Sequence, residues 1–424
     1  MAFRALNEGF MISSDQHDRR GRGSGPAVRR RPSLRRTRHF SRVILLMVLS
    51  LVAVAAGCTG ASEPGSPGER SGPAVEITDV LGRHVTVKAP SARILVDGSR
   101  LLYTTSLLDK QNPVRRIVGW PKDLLDNDPG TYQTYLRQFP QLAGIPTIGE
   151  LYDGSFSVEQ AIALRPDVFV ASASAFKTAQ DAGVIDRLGK VGIPTVFIDY
   201  FVDPIKNTVP SVELMGALLD RKAEAANFIA YYRSAVDGVR SRLDAAKQPA
   251  TATFLWRAPG YFDCCSSFAR SNLAAIVNYA GGENLADDLL PGQQGSISPE
   301  TVLSRNPQVV IATGANWAPN TPAKPGSFVP LGYDQSPARA QAQLRAIIDR
   351  QAGFSQLGAV QQHRTYAVWH HFYDSPYNFL AIQWFAKWMH PDLFADVDPD
   401  AGLRALHEKF LPVPVGGAFW AELS

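Results

Sequence analysis

The sequence predicts an α/β protein of two Rossmann-like lobes joined by one long helix. Three observations carry that reading. Short Val- and Ile-rich runs alternate with amphipathic stretches, a central span shows helical periodicity without strand signals, and an internal repeat places the same helix-to-strand unit in both halves.

The N-terminal region stands apart from this pattern. Residues 1–42 hold eleven Arg, no Lys and three acids, ending in Arg35, Arg36, Arg38 and Arg42, and the uncharged stretch Val43–Gly57 follows. A basic region leading into an apolar stretch too short to span a bilayer comfortably is the pattern of a secretory signal, so residues 1–57 are set aside from the fold. The stretch closes in Val54-Ala55-Ala56-Gly57-Cys58, which resembles the lipobox of bacterial lipoprotein signals; the resemblance implies a lipid on Cys58 as the mature N-terminus. Ala53-Val54-Ala55 offers ordinary signal-peptidase cleavage as the alternative, and Arg35-Arg36 followed by Phe40 loosely matches a twin-arginine signal. Residues 58–74, rich in Gly, Ser and Pro, read as a flexible tether.

Charge and cysteine content narrow the class. The chain carries +4 overall, but residues 1–42 account for +8, which leaves the rest at −4. No basic stripe interleaved with aromatics occurs in that remainder, so a nucleic-acid partner is not expected. With Cys58 lipidated only Cys264 and Cys265 remain, too few for a disulfide framework. These neighbours could form a ring disulfide or bind a soft metal; two buried or half-buried thiols are the expected state, with no assigned role.

Val75–Val87 alternates apolar and polar residues around Leu81-Gly82 and reads as a β-hairpin. The apolar runs Ile94–Val96, Ile117–Gly119, Val168–Val170 and Thr195–Ile198 then alternate with helical segments, as parallel strands with crossover helices do. They define an N-terminal lobe over 75–202. Across 203–247 the apolar residues Leu214, Leu218, Phe228, Ile229, Tyr232, Val236, Val239 and Leu243 follow one helical stripe, which predicts a single spine helix. The α/β rhythm resumes over 248–424 with Thr253–Trp256, Val309–Ala312 and Thr365–Trp369, the C-terminal lobe.

The repeat aligns Ser157–Ser172 with Ser298–Thr313, 141 residues later and without gaps, matching Ser157 with Ser298, Glu159 with Glu300, Pro166 with Pro307, Val168 with Val309 and Ala171 with Ala312. Each copy reads as an N-capping Ser, a short helix, a Pro stop and a buried strand.

With these features in order, residues from Val75 to about Pro412 resemble the solute-binding proteins of ABC importers for ferric siderophores, haem and cobalamin. The marks are Thr78–Arg83 with Val85–Val87, Ala92-Arg93-Ile94, Leu164–Val168, Gly192-Ile193-Pro194, Ala280–Asn284, the second repeat copy and His390–Phe394. The resemblance implies the class III periplasmic-binding-protein fold, an extracytoplasmic monomer held at the membrane by its lipid, and a permease with its ATPase as partners. It also implies that Glu159 and Glu300 dock onto arginines of the permease. A carboxylate in the first turn of a helix also complements the helix dipole, for roughly 0.3–1 kcal/mol, so the helices alone could account for each acid.

Ligands of open α/β lobes bind beyond the carboxyl ends of the strands. The segments there supply Arg100, Trp120, Lys122, Tyr152 and Lys177 from the first half, and Arg257, Tyr261, Trp317, Trp369, His370, His371 and Tyr373 from the second. This cationic and aromatic set suits an anionic chelate, a ferric siderophore first, with haem, cobalamin or a molybdate-type oxyanion as alternatives. Arg100 and Arg257 lead it, because Arg is rarely needed for packing just after a buried strand. Ser375 with Pro376 is expected to cap a helix running to His390. Successive residues of an extended chain point opposite ways, so only one of His370 and His371 should face the cleft, as a metal ligand or as a hydrogen-bond donor. The other histidines form no zinc-like cluster, and no resident cofactor or metal is expected.

An enzyme is not expected: the sequence has no G-x-S-x-G elbow and no H-E-x-x-H, and Gly183 to Gly189 followed by Lys190-Val191 fails the P-loop pattern. A lipid-anchored scaffold is the non-transport alternative, though it leaves the paired acid-bearing helices without a purpose.

Overall fold

The computed structural model describes residues 71–317 and 327–423. The signal, the lipidation site Cys58 and most of the tether lie outside the described residues. Residues 71–74, expected as the end of the tether, are already tied to the body: the Ser71 hydroxyl donates to Asp167 Oδ2 at 2.6 Å and Gly72 N–H to the Pro90 carbonyl at 2.7 Å.

The expected hairpin is present as β1 (Ala74–Thr78) paired antiparallel with β2 (His84–Lys88). Its turn is pinned by Asp79, whose Oδ1 accepts the N–H groups of Leu81 and Arg83, while Gly82 takes φ +76°. Asp79 Oδ2 also accepts the Phe197 N–H and so fastens the hairpin to the first sheet. That sheet holds β3 (Ile94–Val96), β4 (Ile117–Gly119), β5 (Val168–Ser172) and β6 (Thr195–Ile198), all parallel, in the order β4-β3-β5-β6. The second sheet has the order β13-β12-β11-β7-β9, from β7 (Thr251–Trp256), β9 (Gly282–Asn284), β11 (Val309–Gly314), β12 (Thr365–Trp369) and β13 (Trp420–Glu422). Only β13 runs antiparallel, on the edge beside β12. A small antiparallel pair, β8 (Ser266–Phe268) with β10 (Gln294–Ser296), lies outside both sheets. The strands at the centres of the two sheets are buried on both faces, which is why they read as unbroken apolar runs rather than alternating ones.

The repeat is structural as well as sequential. Ser157 Oγ accepts the Gln160 N–H at the head of helix Val158–Ala163, and Ser298 Oγ accepts the Thr301 N–H at the head of helix Pro299–Arg305. Each helix is followed by a left-handed residue before its proline, Arg165 at φ 47° and Asn306 at φ 42°. Each then enters its strand through an equivalent bond, Asp167 N–H to the Arg93 carbonyl and Gln308 N–H to the Ala252 carbonyl, both 2.8 Å.

The spine departs from expectation. Residues 203–247 form two helices, Pro204–Leu219 and Lys222–Ala246, broken at Asp220, which is left-handed at φ 60°. The Arg221 N–H closes the first helix by bonding back to the Gly216 carbonyl at 2.7 Å. The helices approach so closely there that a Cβ on Gly216 would lie 2.6 Å from that of Ala225. The apolar stripe ran across the break because Asp220 and Arg221 are polar residues that helical periodicity tolerates on a solvent face. The 25-residue second helix, about 37 Å long at 1.5 Å per residue, touches helix Leu102–Leu108 of the first half and helix Asn378–Met389 of the second.

The halves also meet directly. Tyr377 Oη donates to the Tyr103 carbonyl at 2.9 Å, Tyr103 Oη donates to Asp128 Oδ2 at 2.6 Å, and the rings of Tyr103 and Trp369 meet edge-on at 5.5 Å. One hydrophobic core consequently runs from Val87 to Leu423 through both helices of the spine. Among the described residues no helix is long and apolar enough to cross a membrane.

Candidate functional site

The carboxyl ends of the parallel strands converge on a cavity. The turn after β3 carries Arg100, the loop after β7 carries Arg257, Tyr261 and Phe262, the end of β11 leads to Trp317, and the turn after β12 carries His370, His371 and Tyr373. Asn127 closes the set from the short helix Asp123–Asn127.

Arg100 is bracketed by two carboxylates. Its Nε donates to Asp123 Oδ2 at 2.8 Å, and its Nη1 donates to Tyr373 Oη at 2.7 Å and to Asp374 Oδ2. Asp123 is itself held by the N–H and hydroxyl of Ser99, both at 2.6 Å. Burial works against the guanidinium charge, but Asp374, Tyr373 and Asp123 more than offset it and raise its pKa.

Arg257 is the opposite case. It is 6% exposed and lies between the rings of Phe262 and Phe268, 4.2 and 4.8 Å from their centroids. Among the described residues no carboxylate pairs with it, and its Nε is buried without a partner. Burial pushes its pKa down to about 10, opposed only by Tyr373 and Tyr261.

Both histidines line the cavity, contrary to the expectation that only one would. The segment is not extended: His370–Asp374 is a 3₁₀ turn, in which successive residues lie a third of a turn apart and two neighbours can share one face. His370 Nδ1 is 2.8 Å from Thr313 Oγ1, and burial, followed by the charges of His371, Arg257 and Arg100, drives its pKa well below the usual histidine range. His371 Nε2 donates to the Asn127 carbonyl at 2.9 Å. Tyr373 packs against His370 and Phe201, at 4.8 and 5.4 Å between centroids, and burial raises its phenol to about 12. The far wall is aromatic, with Tyr261 and Trp317 at 4.7 Å.

Other predicted residues are placed elsewhere. Trp369 is fully buried with its ring against Tyr103, Phe372 and Phe419, and Trp120 is buried in the core beside β4. Lys122 is exposed at the head of its helix, Lys177 pairs with Asp181 at 2.8 Å, and Tyr152 is 51% exposed with its hydroxyl on Ser174. Position after a strand cannot separate a ring turned to the cavity from one turned to the core. Phe262 and Asn127 were missed; Phe262 adjoins the predicted Tyr261, whereas Asn127 takes part through its backbone carbonyl, which no side-chain pattern signals.

Two local expectations need correction. Ser375 does not cap the following helix: its hydroxyl is buried without a partner, and the helix begins only at Asn378, with Tyr377 at the cap position. Cys264 and Cys265 are not thiols but a vicinal disulfide in the loop that carries Tyr261 and Phe262. Glu159 and Glu300 are both exposed in the first turns of the repeat helices, and Glu159 is ion-paired with Arg187. Its own backbone N–H and Arg187 lower the Glu159 pKa. Among the described residues no three His, Cys, Asp or Glu side chains group around a metal-sized position.

The sequence profile of the family described as periplasmic binding protein matches residues 131–368. Among solved structures, the TroA-like periplasmic binding protein FepB from Veillonella parvula is 28% identical, with a TM-score of 0.75 over 82% of this chain and 100% of that one. The molybdate periplasmic binding protein MolA of Haemophilus influenzae, bound to molybdate, shares the fold at 20% identity and TM-score 0.56, over 81% of this chain and 99% of that one. Helicobacter pylori CeuE in its nickel–histidine complex does so at 16% identity and 0.57, over 80% and 96%. No curated protein matches the chain.

Proposed function

Because this chain belongs to the periplasmic binding protein family, whose members are extracytoplasmic solute carriers rather than enzymes, we propose that it captures an anionic metal chelate for an ABC importer. A ferric siderophore is the first candidate. The observation that carries the anionic part is Arg257, a buried guanidinium facing the cavity without an acid. Holding an ion out of water costs several kcal/mol unless an opposite charge joins it. Arg100 already has Asp123 and Asp374, so the counter-charge for Arg257 comes from the solute.

The aromatic wall of Tyr261, Phe262 and Trp317 supplies faces against which a planar chelating group can stack.

In this reading 75–202 and 248–424 are the two lobes, and a monomer presents Glu159 and Glu300 to the permease. A lipid on Cys58 keeps the carrier near it, raising its local concentration. Fatty-acid labelling that persists in Cys58→Ser would refute that anchor. Capture is tested by titrating ferric chelates, haem, cobalamin and molybdate against intrinsic tryptophan fluorescence, to which Trp317 contributes, while monitoring turnover. Saturable quenching without product, weakened about tenfold or more in Arg257→Gln, is the expected result. Turnover would indicate an enzyme, and the absence of binding would leave the scaffold reading.

A further inference from the structure

We propose that the Cys264–Cys265 pair is a redox site coupled to the cavity: its reduction by an extracytoplasmic dithiol loosens the wall formed by Tyr261 and Phe262 and weakens the hold on the solute. The effect on affinity rests on the reading of the cavity as the solute site; the redox site itself does not.

A disulfide stabilises a fold chiefly by closing a loop in the unfolded chain, and the gain shrinks as the loop shortens. Cys264 and Cys265 are neighbours, so their bridge closes no loop and adds little to global stability. What it does is local. It joins two consecutive side chains in one small ring and restricts the backbone that runs through them.

That stretch lies between a fixed strand and the cavity wall. Cys265 is fully buried and exchanges two backbone hydrogen bonds with Ile297, at 3.2 and 3.0 Å, while the Arg257 N–H closes the base of the loop on the Ser266 carbonyl at 2.8 Å. On the other side only the exposed Asp263 separates the bridge from Phe262. The N–H groups of Tyr261 and Phe262 both bond to the Ala258 carbonyl at 3.0 Å. The Phe262 ring lies 4.2 Å from the Arg257 guanidinium and 4.8 Å from the Tyr261 ring, which meets Trp317 at 4.7 Å. Freedom gained at Cys264 therefore reaches the cation and the rings that line the cavity. A solute must then order that wall again, which lowers its affinity.

The dithiol balances the reaction. Cys264 is half-buried and is the member a thiolate reaches, whereas Cys265 is closed off. Attack forms a mixed disulfide on Cys264 and expels Cys265 as a thiolate, which takes up a proton; the second thiol of the reductant then displaces Cys264, which is protonated in turn. The pair gains two electrons and two protons, and the dithiol leaves as its cyclic disulfide.

The full mature chain, treated with dithiothreitol without denaturant and then with iodoacetamide, should be alkylated at both Cys264 and Cys265. Reduction should speed amide exchange at Tyr261 and Phe262 about tenfold while the urea midpoint moves by less than about 0.5 M. Cys264→Ser combined with Cys265→Ala needs no reductant. It should reproduce the faster exchange and weaken binding of the iron(III) complex of 2,3-dihydroxybenzoate about tenfold. Absence of alkylation before unfolding, exchange unchanged in both the reduced chain and the variant, or a larger fall in the midpoint overturns the redox site. Faster exchange with equal affinity in parent and variant overturns its coupling to the solute. A parent chain that binds neither this complex nor haem, cobalamin or molybdate overturns the capture reading, and alkylation with exchange still decides the redox site.

Discussion

Arg100 and Asp374, 274 residues apart, are ion-paired at the cavity, joining the turn after β3 to the turn after β12. Asp123 holds the other edge of the same guanidinium, so one cation separates two largely buried acids. Arg100→Met should leave those acids facing each other and destabilise the fold by about 2–4 kcal/mol, measured by urea denaturation. Adding Asp374→Leu should recover most of the loss; no recovery would mean that packing, not charge, sets the cost.

His370 should make stability depend on pH. Its folded pKa is lowered by burial and then by the charges of His371, Arg257 and Arg100. Between that value and the unfolded pKa near 6.5 the unfolded chain binds the extra proton, so this contribution to stability is present above about pH 6.5 and is lost as pH falls. Comparison of His370→Gln with the parent from pH 7.5 to 5 should show a shallower decline in the variant, by up to about 1.4 kcal/mol per pH unit.

Glu150 should act in the opposite direction. Burial, followed by the nearby charge of Asp123, raises its pKa to about 7. The folded state therefore binds more protons than the unfolded one between about pH 4.3 and 7, and stability from this group falls as pH rises through that window. Thermal melts of Glu150→Gln at pH 5 and 8 should show the parent losing more than the variant; parallel slopes would remove Glu150 as the source.

Gly216 is the contact point of the broken spine. A side chain there meets Ala225 at less than van der Waals distance, and Gly216→Val should cost about 1–3 kcal/mol in urea denaturation. Gly238, with open space around its Cβ position in the same pair of helices, is the control. Gly238→Ala should be neutral or stabilising by up to about 1 kcal/mol.

Docking is separable from capture. Glu159→Lys with Glu300→Lys should abolish uptake by cells while leaving affinity for the solute within about twofold, since both acids are exposed on the repeat helices and not in the cavity. Uptake by the double variant would discard the two-point contact.

Much of the fold was legible because its signals are local. The runs at Ile94, Ile117, Thr195 and Thr365 became strands over the residues expected, and Ser157 and Ser298 cap their helices. The break at Asp220 was not legible, since one left-handed residue leaves no periodic trace. Nor was the geometry of His370 and His371, where a tight turn follows the strand directly. Trp369 and Trp317 both follow strands, yet one ring enters the core and the other the cavity.

By itself the sequence determined the order of elements, the duplicated helix-to-strand unit and the supply of Arg, His and aromatic residues at strand ends. Each of these depends on residues a few positions apart. Only the tertiary structure decided that Arg100 is neutralised while Arg257 is not. One of the two acids on Arg100, Asp374, arrives from 274 residues away, and an ion's worth depends on what meets it after water is gone.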